Sequence, residues 1–152
     1  MTLFLEVVAA IGGTVAFSLL FGVPTRYYPY CGLIGGAGWL VYSIFIGQGC
    51  TSPTSALFAT IVVILLSRLF AVRERCPVTI FLISGIFPLV PGAGVYWTAY
   101  YIVTNDLARA SQTGFMALKM AVAIVLGIVF VFELPQGIFR IFSKKENRGK
   151  RV

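Results

Sequence analysis

The groups in this chain best suited to chemistry belong to the backbone. PLVPGAGVYW, residues 88 to 97, places Pro88, Pro91, Gly92 and Gly94 in a run that is otherwise apolar and aromatic. Each proline removes a backbone donor and clashes with the preceding helical turn, and the glycines permit the dihedrals of an unwound segment. A helix restarting at Gly92 to Val95 leaves its first amides unpaired and carries a partial positive charge at that end. Such amides suit a carboxylate or another anion. The competing reading is a proline kink that only shapes packing, since lipid-embedded helices tolerate both residue types.

The second candidate is Lys119, in GFMALKMAVAIV, with apolar neighbours on every side. An ammonium at mid-depth in a bilayer costs about 2.5–3.5 kcal/mol on insertion scales. It therefore faces a cavity, a substrate carboxylate or an acidic partner, or else snorkels to the outer headgroups toward Asp106. Glu6 and Glu133 sit near span ends and can reach the interface. Tyr96, Trp97, Tyr100 and Tyr101 offer hydroxyl and indole groups to a substrate, and fit an interfacial aromatic belt equally well.

Covalent chemistry has no constellation to work with. The chain has no histidine, and its five acids are scattered, so nucleophile–base pairs and paired carboxylates are missing. GGAG is not followed by the GK[ST] of a phosphate loop. Cys31, Cys50 and Cys76 lack CxxC spacing and read as small apolar residues. No enzyme activity, metal or cofactor is expected.

These residues need elements to position them. With 59% hydrophobic and only 11% charged residues, the chain falls far short of the roughly one-quarter charged content of soluble domains. Apolar blocks run from Leu3 to Phe21, Tyr28 to Ile46, Pro53 to Leu69, Val78 to Val103 and Thr113 to Leu134. Each approaches or exceeds the roughly 20 residues that span the hydrocarbon layer, and none shows the alternation of a β-barrel. The expectation is an all-α, polytopic protein with about five transmembrane helices, the fourth broken at the Pro-Gly motif. The first block lacks a basic n-region and is expected to stay as a helix. GVP at 22 to 24 stops the first helix, Ser52 is a candidate cap with Pro53 as first helical residue, and Cys76-Pro77 opens the fourth.

The net charge of +7 gathers at block ends, which marks topology rather than nucleic-acid binding. Five crossings put Arg26, Arg68, Arg73, Arg75 and the basic tail on one side. The expected orientation is therefore amino terminus outside and carboxyl terminus in the cytoplasm. A single transmembrane domain over residues 1–137 precedes a basic cytoplasmic tail over 138–152, whose first part lies along the inner leaflet lipids. Gly32, Gly35, Gly36 and Gly38 let two helix backbones touch and are assigned to helix packing, within the chain or in an oligomer. Ala117 with Ala121 and Ala123 with Gly127 are similar steps.

FGVPTRYYPYCGLIGGAGWLVY, SRLFAVRERCPVTIFLI and GIFPLVPGAGVYWTAYYIVTND together resemble the small membrane subunit of the threonine/serine exporter family. That group includes a two-component bacterial dicarboxylate (succinate) exporter. The likeness covers nearly the whole chain and is most specific at Pro88, Pro91 and Gly92. It implies a secondary exporter of small carboxylate-bearing metabolites in the cell (inner) membrane, working beside a larger family subunit. Proton or other ion coupling would then draw its acid from that partner. The other function class is a non-transporting scaffold that places the larger subunit.

Overall fold

The structure is a computed structural model that describes residues 2–133; the basic tail lies outside this range. Among the described residues all regular structure is helical: α1 (Thr2–Leu20), α2 (Tyr28–Gly47), α3 (Ser52–Glu74), α4 (Thr79–Ile86), α5 (Gly92–Val103) and α6 (Leu107–Phe132), with short 3₁₀ turns at Thr25–Tyr27 and Phe87–Leu89. α1, α3, α6 and the stretch 25–47 are each long and apolar enough to cross a membrane, and α4 with α5 makes a fifth candidate bent by 51°.

The junctions follow from residues that stop helices. Gly22 at φ 67° and Gly49 at φ 85° turn the chain after α1 and α2, backbone that a side chain would strain. Arg75 takes a left-handed conformation at the end of α3, φ 53°. Two expected boundaries shift. α3 is preceded by Thr51 as cap, with Ser52 already helical. α6 starts at Leu107, six positions before the apolar block, because the Asp106 carboxylate accepts from Arg109 N–H at 3.2 Å and closes the first turn. A hydropathy window misses that turn because its residues are too polar to sit in lipid.

Helix contact relies on small residues, as expected where lipid supplies no hydrophobic drive between helices. A Cβ on Gly35 would run into the Thr14 side chain, and one on Gly36 would stand 2.6 Å from Ile11. These glycines seat α2 on α1. Gly38 faces Val63 of α3, Gly85 of α4 faces Ile34, and Gly127 of α6 lies 3.0 Å from Thr60 on the same criterion. Tyr27, Cys31, Ile34, Val63, Ile64, Phe81 and Leu89 fill the interior.

The path of the fourth span follows from these contacts. α6 runs parallel to α3: Arg68 near the end of α3 donates to Val131 O at 2.6 Å, near the end of α6. Both helices therefore finish on one face of the bundle, the face where α4 begins. α6 starts on the opposite face, and residues 104–106 tie α5 to that start. Thus α4 and α5 together carry the chain from one face to the other, as a broken crossing rather than a hairpin.

Candidate functional site

The break lies at mid-height. Leu89 sits 3.9 Å from the Cβ position of Gly38, the eleventh of twenty residues in α2, and beside Val63, the twelfth of twenty-three in α3. α4 tightens into the Phe87–Leu89 turn, Val90 is extended (φ −61°, ψ 131°), and α5 restarts after Pro91. Val95 N–H makes the first helical bond of α5, to Pro91 O at 3.1 Å. The N–H groups of Ala93 and Gly94 precede it in the exposed first turn.

The two prolines and the glycines divide the work differently from the sequence expectation. No positive φ occurs at Gly92 or Gly94, so the glycines do not unwind the segment; both are helical residues of α5. Their contribution is size. A Cβ on Gly94 would stand 3.0 Å from Ala117 Cβ, whereas one on Gly92 would meet nothing within 4 Å. Pro88 and Pro91 alone supply the interruption, through the donors they lack.

The interruption opens into a cavity of about 460 Å³ lined by residues 88–94 together with Trp39, Tyr42, Trp97, Thr113 and Met116. Its volume is that of a small-molecule site. The walls are apolar apart from two indoles, a phenol, hydroxyls and the first-turn amides of α5, so an anion entering it meets donors and a favourable helix end. α5 leans on α6 through Gly94 and through Thr98, whose Oγ1 donates to Thr113 Oγ1 at 3.1 Å. No residue of α5 is buried. The helix that closes one side of the cavity thus has a second face left uncovered.

Pro88, Pro91, Gly92 and Gly94 all line this space. Lys119 does not. It is exposed on α6, with Nζ 4.6 Å from the centre of the Phe115 ring, in a separate groove with Thr51, Pro53 and Val122. Met116 borders both spaces. Among the outer aromatics only Trp97 reaches the cavity; Tyr96, Tyr100 and Tyr101 cluster around it, with Arg109 over the Tyr101 ring at 5.8 Å.

Sequence reasoning missed Trp39 and Tyr42, which come from a different span. The signal available was GW at 38–39, an amphipathic ring directly after the glycines and far from either end of α2. It also missed the setting of Glu6. That carboxylate accepts a long hydrogen bond, 3.4 Å, from Trp39 Nε1.

The family described as "Threonine/Serine exporter, ThrE" matches residues 6–133. The chain belongs to the threonine/serine exporter family. The match runs from Glu6 to Glu133 and so contains the whole cavity. The probable threonine/serine exporter of Mycobacterium tuberculosis (strain ATCC 25618 / H37Rv) is 27% identical over 138 residues, 88% of this chain. Those residues are 26% of that protein, so this family member spans about a quarter of its relative's length. No solved structure matches the chain. The family is one of exporters rather than enzymes.

Proposed function

We propose that this chain forms part of the cargo path of a secondary exporter of amino acids such as threonine or serine. The observation that carries the reading is the mid-height break opening into the cavity: polar backbone is tolerated at that depth only where protein or water meets it, and here a cavity does. The carboxylate of the cargo sits at the first turn of α5, and Tyr42, Trp97 and Thr113 hydrogen-bond the rest. Discontinuous helices serve transporters in this way. A dicarboxylate such as succinate would use the same donors at one end. The membrane is the cell (inner) membrane, with the amino terminus outside.

A larger family subunit completes the path. Its relative carries about three-quarters of its length outside the matched segment, and the uncovered face of α5 offers a place for such a partner beside the cavity. If the chain were instead a scaffold, the break would be dispensable. The deciding experiment is efflux of labelled threonine, serine and succinate from vesicles holding this chain with its companion, comparing the parent with Pro88→Ala/Pro91→Ala. Restoring both donors lets α4 and α5 join, so efflux should fall to the level of empty vesicles while complex assembly persists. Undiminished efflux would reject the cargo site.

A further inference from the structure

Lys119 lies outside the α5 cavity, in a groove of about 520 Å³ that Phe115, Lys119, Val122 and Leu126 of α6 form with Thr51 and Pro53 at the start of α3. The two helices run side by side in the same direction, with Gly127 against Thr60. Counting eight residues back along each brings Lys119 level with Ser52, the first residue of α3. The ammonium therefore stands where the third span begins, at the depth of a leaflet's headgroups. Val122 and Leu126 follow at i+3 and i+7 on the same face of α6, and Leu126 lies about 10 Å further toward mid-height by the helical rise. Both side chains are exposed, and in a span that exposure faces acyl chains.

The charge in this groove has no counter-charge within the described residues. Asp106 pairs with Arg109 at 3.4 Å, Glu6 bonds Trp39 beside a different cavity, and Glu74 and Glu133 stand at the far ends of α3 and α6. Lys119 Nζ rests 4.6 Å from the centre of the Phe115 ring, a contact that holds the ammonium over the groove without using its N–H donors. Thr51 Oγ1, 2.9 Å from Thr54 Oγ1, adds a hydroxyl on the facing wall. A cation and a hydroxyl at headgroup depth above an apolar channel fit an anion with a hydrocarbon chain attached. A soluble anion would fill the top and leave the channel empty; an uncharged chain would leave the ammonium without a counter-charge.

We propose that this groove is a binding site for an anionic phospholipid, with the phosphate at Lys119 and Thr51 and one acyl chain along Val122 and Leu126. Met116 borders both this groove and the α5 cavity, so the bound lipid backs the wall of that cavity and closes it from the bilayer side. The site stands independently of the export reading.

Native mass spectrometry of the full chain, released from neutral detergent micelles, counts the lipid it retains. With phosphatidylglycerol the parent should hold one more equivalent than Lys119→Met, whose apparent Kd for that equivalent should rise roughly tenfold. Arg26, Arg73, Arg75 and the basic tail are common to parent and variants, so the difference belongs to the groove. Lys119→Arg should keep the equivalent. Val122→Trp, a change at an exposed position that fills the channel and spares the ammonium, should lose it. Helical circular dichroism shows that the chains compared are folded. Phosphatidylcholine should not replace phosphatidylglycerol, and glycerol 3-phosphate, the headgroup without chains, should not displace it. Equal retention of phosphatidylglycerol by the parent and Lys119→Met overturns the proposal, as does full retention in Val122→Trp, which removes the acyl channel. Equal retention of phosphatidylcholine would overturn the anionic selectivity, and displacement by glycerol 3-phosphate would make the groove a soluble-anion site instead.

Discussion

Gly94 of α5 and Ala117 of α6 are close enough that a methyl group on Gly94 would stand 3.0 Å from Ala117 Cβ. This contact sets how far α5 leans on α6, and with it the width of the cavity, since both residues line it. Cβ of alanine has no rotamer with which to retreat, so only a helix shift relieves the crowding. Gly94→Ala should destabilise the chain by about 1–3 kcal/mol, the usual range for overpacking. Gly94→Ala combined with Ala117→Gly should recover most of that loss. Thermal unfolding in detergent, followed by circular dichroism, measures both.

Gly92 provides the contrasting case. With nothing within 4 Å of its Cβ position, Gly92→Ala is accommodated by the fold, and its stability should stay within about 0.5 kcal/mol of the parent. The new methyl projects beside the first-turn amides of α5, where cargo is proposed to sit. Efflux should weaken through a KM increase of roughly tenfold, or about 1.4 kcal/mol. Concentration-dependent efflux from vesicles separates the two effects.

Lys119 offers a test of whether charge on α6 matters to cargo. Its ammonium rests over Phe115, outside the α5 cavity, so Lys119→Met should leave cargo KM unchanged. Loss of a cation–π contact at an exposed site costs about 0.5–1 kcal/mol, which thermal unfolding should register. A raised KM would bring the cation back into the cargo site.

The cysteines report orientation and packing. Cys31 is fully buried, while Cys50 and Cys76 are half-buried at opposite ends of α3. Burial, as the largest cause, raises the Cys76 thiol above its ordinary pKa, with nearby Glu74 adding to the shift. The thiolate is the nucleophile, so maleimide labelling of Cys76 should be slow at neutral pH and accelerate as pH rises past the ordinary thiol range. With the amino terminus outside, an impermeant maleimide added to intact cells should reach Cys50 and spare Cys76. Labelling of Cys76 alone would invert the orientation.

Much of this protein could be read in one dimension. Apolar blocks mark spans because the bilayer imposes a length on any helix that crosses it. Pro88 and Pro91 mark the break because a missing donor is a covalent property of the residue. The reading failed where geometry is shared between segments. Gly92 and Gly94 were expected to unwind the chain, but their φ angles are ordinary; what the glycine run shows in sequence is a lack of side chain, and whether that serves a dihedral or a close approach depends on Ala117, more than twenty residues away. The apolar blocks end at Val103 and resume at Thr113, whereas α6 begins at Leu107, because a first helical turn outside the lipid carries no hydropathy signal. Arg68 stays near the end of α3 where the charge pattern puts it, but its burial against the end of α6 is set by packing between two helices.

Composition and local stereochemistry alone therefore determine that the chain lives in a membrane, that it crosses as helices and that its fourth span is interrupted. Tertiary structure decides what the interruption faces. Trp39 and Tyr42 arrive from α2, Thr113 and Met116 from α6, and Glu6 from α1 reaches Trp39 across thirty-three residues of sequence. Such encounters depend on how deeply the glycines of α2 let neighbouring helices approach, a distance set jointly by two surfaces and written in neither segment by itself.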